Sequence, residues 1–122
     1  MERLVRAIRG ATTIDEDTPE QITGRVTALV AEMLSRNSVS HDDLISVIFT
    51  ATEDVGSMFP ATAARTIGLG DVPLICAREI SVAGATPMCI RVMAHAYSER
   101  DRSELHHVYL EGARGLRDDL PE

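Results

Sequence analysis

The sequence predicts an α/β fold of α+β character: one domain over residues 1–122, with a mixed sheet of about five strands, one long helix and one or two short helices. Three observations predict it. A single apolar stripe of helical period runs through residues 22–34. Several short runs rich in Val, Ile and Leu are separated by turn residues. No internal repeat, low-complexity tract or linker interrupts the chain.

Taken in order, "RLVRAIRG" (3–10) alternates as a first strand ending at Gly10. Leu4, Arg6 and Ile8 share one face; Val5, Ala7 and Arg9 share the other. "DTPEQ" then opens a helix. Thr18 is the N-cap, Pro19 takes the first helical position and Gln21 completes a capping box. Ile22, Val26, Leu29, Val30, Met33 and Leu34 place one apolar stripe on this helix over 19–36, and Asn37 can stop it. Ser40 and Asp43 cap a short turn. "LISVIFTAT" (44–52) is β-branched and apolar, as in a strand buried on both faces.

After the loop "EDVGSM", Phe59-Pro60 opens a short helix at about 60–67, closed by Gly68 and Gly70. "VPLICA" (72–77) reads as a strand and "SVAGATP" (81–87) as a loop. Residues 88–96 form the next strand. It carries Cys89, Arg91, Met93 and His95 on one face, and Met88, Ile90, Val92 and Ala94 on the other. "ERDRSE" (99–104) is a charged turn and "HHVYLEG" (106–112) a last strand.

Composition removes several function classes. Apolar residues make up 44% of the chain, enough for a core without disulfides or metal. The net charge of −7 and the lack of a basic stripe argue against a nucleic-acid partner. No run reaches the roughly 18 uncharged apolar residues of a membrane span, and the Arg-bearing N-terminus lacks the apolar core of a signal peptide. A cytoplasmic location is expected, with Cys76 and Cys89 as free thiols. All 12 basic residues are Arg. With no Lys, Schiff-base and P-loop chemistry are excluded, and every cationic site is a planar guanidinium suited to carboxylates.

Neither cysteine sits in a nucleophile motif, and both read as small buried residues. His106 and His107, adjacent on a strand, point to opposite faces and do not chelate together; no metal site is expected. What remains is a set of charges in strand-like context: Arg9, Arg65, Arg78 with Glu79, and Arg91. Taken singly, each reads as a snorkelling or ion-paired residue, and Arg78 stays in that class. The others together outline a site for a small anionic ligand, where chemistry comes from positioning and electrostatics.

"IRGATT" (8–13), "FPA" (59–61) followed by Arg65, "CAREI" (76–80), "CIRVM" (89–93) and "HVYLEGARGLR" (107–117) together resemble the monofunctional chorismate mutases of the Bacillus type. The likeness runs in register over about residues 5–117. It implies a homotrimer forming a pseudo α/β barrel, with active sites in the clefts between subunits. It also implies an isomerase of the shikimate pathway that converts the dianion chorismate to prephenate, on the way to Phe and Tyr, with no cofactor and no metal.

By position, Arg91 resembles the Arg set against the ether oxygen of the breaking bond, and Glu79 the carboxylate that takes the ring hydroxyl and holds Arg91. Arg9 and Tyr109 resemble groups that bind the side-chain carboxylate. Phe59, Arg65, Leu74, Ile75 and Cys76 match pocket positions, and Leu116 and Arg117 the segment that covers the site. Thr62 stands where the family often has Lys. Two other readings fit parts of the pattern: a small trimeric imine deaminase-like enzyme, and a non-enzymatic module that binds a small carboxylate.

Overall fold

Residues 2–116 are described in a computed structural model of the chain. Five strands, β1 (Leu4–Thr13), β2 (Leu44–Ala51), β3 (Leu74–Arg78), β4 (Cys89–Ser98) and β5 (Val108–Tyr109), form one sheet in the order β3-β2-β4-β1-β5. β4 runs antiparallel to both neighbours, whereas the β2–β3 and β1–β5 pairs are parallel. The mixed sheet, the long helix α1 (Pro19–Arg36) and the short helix α2 (Pro60–Arg65) match the expected class.

One face of the sheet is covered. The α1 stripe of Ile22, Val26, Leu29, Val30 and Met33 packs with Ile8, Val47, Phe49, Ile90, Val92 and Ala94 into the main core. α2 adds Ala61, Ala63 and Ala64 to it. The alternate residues of the strands face the other way and stay partly or largely open: Val5 and Arg9 on β1, Ile48 and Thr50 on β2, Ile75 on β3, Arg91, Met93, His95 and Tyr97 on β4. β2 is therefore buried on one face, not on both.

Several boundaries differ from those expected. β1 does not end at Gly10 but continues to Thr13, paired opposite Cys89 to Val92. Gly10 is a contact and not a stop: a Cβ there would lie 2.5 Å from Met33 Sδ, so its hydrogen lets α1 close on the strand. β3 starts at Leu74, because Pro73 has no N–H to give and contributes only its carbonyl, to Val47 N at 3.0 Å. β4 reaches Ser98. β5 keeps two residues: Glu111 takes φ 52° and turns the chain into a 3-10 turn over Glu111–Ala113. α2 stops at Arg65.

Thr18 caps α1 as expected, its hydroxyl accepting from Gln21 N at 3.2 Å. The Gln21 side chain does not close a box on Thr18; its oxygen accepts from Glu16 N at 3.0 Å and from Asp15 N. Asn37 stops the helix and does more. It is fully buried; its amide donates to Met33 O (2.7 Å) and His106 O (2.8 Å), and accepts from His106 N (2.7 Å). The helix end is thereby tied to the segment that leads into β5. Among the described residues no helix is long and apolar enough to cross a membrane.

Two outcomes follow from these anchors. Asn37→Ala removes the three hydrogen bonds of a fully buried side chain, to Met33 O and to His106 O and N, and costs about 2–3 kcal/mol in denaturant unfolding. Asp17 accepts from Gly56 N and Ser57 N, both at 3.0 Å, and so pins the loop before α2. The Ser57 hydroxyl, then the two backbone N–H groups, hold its carboxyl below the usual range. A lowered folded value stabilises above the unfolded value of about 3.9 and is lost as pH falls through the folded one. Asp17→Ala therefore lowers Tm at neutral pH, and the gap to wild type closes below about pH 4; thermal scans across pH check it.

Candidate active site

Strand register assembles the site on the uncovered face. Arg91 on β4 lies opposite Ala11 on β1 and Thr50 on β2. Arg9 lies opposite Met93, one diagonal step from Arg91 on the same face. Tyr109 on β5 lies beside Ala11. Arg9, Arg91 and Tyr109 thus line one cavity of about 290 Å³, with Ile48, Thr50 and Met93. Ala11 is its floor. It is buried beneath Tyr109 and packs with Ala113 and the partly buried Leu116. Among the described residues no carboxylate lines this cavity.

Glu79 stands at its margin, just past the end of β3. Its backbone N–H donates to Ala51 O at 2.9 Å, so it continues the β2–β3 ladder by one step. Its Oε1 lies 3.3 Å from Arg91 Nε, and its Oε2 accepts from the Thr50 hydroxyl. Arg91 Nε is buried and makes no aligned hydrogen bond among the described residues, although the side chain as a whole is 40% exposed. Water is thus kept from Nε but not from the whole side chain.

A second cavity, of about 550 Å³, opens near the β2–β3 end of the sheet. Phe59, the N-cap of α2, lines it together with Cys76, Met58 and Arg78. Phe59 is 71% exposed, an unusual position for the largest apolar side chain of its loop. Cys76 pairs with Phe49 in register and faces the core side of the sheet.

The expected residues therefore fall into two groups. Arg9, Arg91 and Tyr109, with Glu79 beside them and Leu116 against the floor, form one; Phe59 and Cys76 form the other. Leu74 packs on the core and lines neither cavity; Ile75, on the open face, is largely exposed but also lines neither. Arg65 is exposed at the end of α2 and lines neither. Arg117 lies outside the described residues. Sequence reading missed Ala11, Ile48, Thr50 and Met93. Two of these were in reach: Ala11 is two residues from Arg9, and Met93 two from Arg91, so strand period alone puts them on the same face.

His106 and His107 precede β5, so strand alternation does not describe them. His107 Nδ1 accepts from Arg9 N at 3.0 Å and fixes the backbone that carries the Arg9 side chain. Among the described residues no group of three His, Cys, Asp or Glu side chains is arranged to hold a metal ion. Burial pushes the Cys89 thiol up, against the pull of the Arg91 guanidinium, which disfavours the thiolate a nucleophile needs.

Fold and site define a small α/β protein that gathers two guanidinium groups, Arg9 and Arg91, on one open cavity of an otherwise acidic chain. The chain belongs to the chorismate mutase type I family, whose model matches residues 5–120. It is 48% identical over 118 residues to chorismate mutase AroH of Thermus thermophilus, covering 96% of this chain and 97% of that one. To chorismate mutase AroH of Bacillus subtilis it is 36% identical over 118 residues, covering 96% and 93%. A solved chorismate mutase from Clostridium thermocellum superposes with a TM-score of 0.87 at 44% identity, covering 89% of this chain and 97% of that chain. The match sets aside the imine deaminase-like reading.

The thiol difference is open to measurement. Cys89 stays unlabelled by a thiol reagent in the native protein and is labelled after unfolding, as read by mass spectrometry of its peptide. Native labelling at Cys89 would show a far more open strand than the one described.

Proposed function

We propose that this chain is an isomerase that rearranges chorismate to prephenate in aromatic amino acid biosynthesis, and that the cavity bearing Arg9, Arg91 and Tyr109 is its catalytic half-site. The observation that carries the reading is the convergence of two guanidinium groups and a phenol on one cavity, with Glu79 ion-paired to Arg91 at its edge. Family membership supplies the substrate.

The rearrangement is concerted. One ether C–O bond breaks while one C–C bond forms, and no proton changes place. The protein therefore needs no nucleophile or base; it must fold the enolpyruvyl arm over the ring and favour the charge that builds as the bond lengthens. In this reading Arg91 faces the ether oxygen, where negative charge grows in the transition state. Glu79 accepts from the ring hydroxyl and steadies Arg91. Arg9 and Tyr109 grip the side-chain carboxylate. Holding both ends of the substrate removes the entropy of alignment before the reaction starts.

We further propose that the working form is a homotrimer in which the Phe59–Cys76 cavity of one chain closes over the Arg91 cavity of the next, so that Phe59 and Cys76 supply the opposing wall. Two features support it. Phe59 and Arg91 line separate cavities within one chain. The uncovered sheet face carries Val5, Ile48, Ile75 and Tyr97 with substantial apolar exposure, as a subunit interface does. A neighbour over this face also removes water from Arg91, whose charge then acts on the ligand with less screening. A cytoplasmic location fits this role.

Purified protein should consume chorismate, followed by loss of its ultraviolet absorbance, and should sediment at about three times the 13.3 kDa chain mass. Arg91→Ala should lower kcat by about 10²–10³-fold or more with Tm preserved, as for loss of one transition-state donor. Arg91→Lys should stay impaired, because an ammonium does not reproduce the planar fork. A folded wild-type protein without turnover, or an Arg91→Ala protein with near-normal kcat, would overturn the reading.

A further inference from the structure

We propose that Thr50 is a positioning residue for this reaction: its hydroxyl fixes one oxygen of Glu79 so that the carboxylate orients Arg91 without consuming its N–H donors. The inference rests on the mutase reading above and adds to it a residue that touches Glu79.

Thr50 sits on β2 between the strands that carry the pair. It lies opposite Ala77 on β3, two residues before Glu79, and opposite Arg91 on β4. Its side chain is on the open face and lines the same cavity as Arg9 and Arg91. The hydroxyl donates to Glu79 Oε2, while Oε1 is 3.3 Å from Arg91 Nε.

The Glu79 backbone is fixed by its bond to Ala51 O, but three side-chain torsions remain. Glu79 also borders a small neighbouring cavity of about 140 Å³ with Thr52, Asp54 and Val82, so a second direction is open to it. The Thr50 hydroxyl selects the direction towards Arg91. It also prevents a bidentate clasp. A carboxylate free to rotate takes a guanidinium fork with two parallel bonds. Held at Oε2, Glu79 approaches Arg91 Nε within ion-pair distance but off the hydrogen-bond line, and Nε makes no aligned bond among the described residues. Glu79 thereby meets Arg91 on the buried Nε side, and the more exposed end of the guanidinium is left towards the cavity, where charge develops on the substrate.

Steady-state kinetics on the intact enzyme tests this with Thr50→Val, which keeps the shape and removes the hydroxyl, and Thr50→Ser, which keeps the hydroxyl. Thr50→Val should lower kcat about tenfold with KM changed less than about twofold, the size expected for losing a hydrogen bond to a charged group. Thr50→Ser should remain within about twofold of wild type. In a Glu79→Gln background Thr50→Val should have almost no further effect, since the two side chains act as one unit. Should Thr50→Val fail to fold, Thr50→Ala takes its place with the same expectations. Three results overturn the role of Thr50 while leaving the mutase reading intact: an unchanged kcat in Thr50→Val, an equal loss in Thr50→Ser, or the same tenfold loss in the Glu79→Gln background. Absence of turnover in the wild type overturns the mutase reading itself, and this role with it.

Discussion

The pairing of β1 with β4 is the constraint on which the rest of the structure depends. The two strands run antiparallel from Leu4↔Ser98 to Thr13↔Cys89, and the register decides which side chains meet α1 and which meet the open face. Ile8, Ile90, Val92, Ala94 and Ala96 are all buried on the covered side. Arg9, Ala11, Arg91 and Met93 alternate with them and look outward. A slip of one residue would exchange the two sets. It would expose aliphatic side chains worth about 1.5–3 kcal/mol each in burial and push Arg91 against the α1 stripe, at a cost of several kcal/mol for an unpaired buried charge. The precision of the polar site is thus inherited from the apolar core behind it. Gly10 sits at the join, where the missing Cβ lets Met33 of α1 press on β1.

The position of an Arg inside an apolar strand is explained by placement and not by stability. The Arg91–Glu79 pair has side chains 40% and 21% exposed and a separation of 3.3 Å. Ion pairs with that much solvent contact contribute about 0–1 kcal/mol. A Leu or Val at position 91 would satisfy the strand equally well, and the pair adds little that such a residue lacks. What the strand supplies is rigidity. A guanidinium rooted in the middle of a three-strand ladder, with Ala11 on one side and Thr50 on the other, has its Cα fixed before any ligand arrives.

Much of this was legible in the chain. The α1 stripe, its Thr18-Pro19 start and its Asn37 stop are local signals, and all three hold. The alternation of β4 put Arg91, Met93 and His95 together because strand period acts within a few residues. The misses share a cause: they depend on partners far away in sequence. Gly10 looks like a strand end until Met33 is seen behind it. Asn37 looks like a helix stop until His106 is found across it. Gln21 fits a capping box by spacing, yet the chain entering the helix brings the Asp15 and Glu16 N–H groups to its side chain. Glu79 and Arg91 were readable as partners only through family resemblance; nothing local predicts that the end of β3 lies one strand removed from β4, with Thr50 between them.

The charge balance makes the same point about local arrangement. The chain carries −7 overall, and the ligand of the proposed reaction is a dianion. Over distances beyond about 8 Å at physiological salt the net charge is largely screened, so the groups at the cavity decide. Among the described residues those groups are Arg9 and Arg91, with no carboxylate in the lining and one, Glu79, at the rim. The rim carboxylate does not cancel the site, because its oxygens are already committed: Oε2 accepts from Thr50 and Oε1 faces Arg91 from the side. Among the described residues, a dianion in this cavity therefore meets two guanidinium groups in the lining itself and a carboxylate only at the margin. On the trimeric reading, closing that face with a neighbour's Phe59 lowers the local dielectric after the anion is seated, which strengthens its attraction to Arg91 where charge is building.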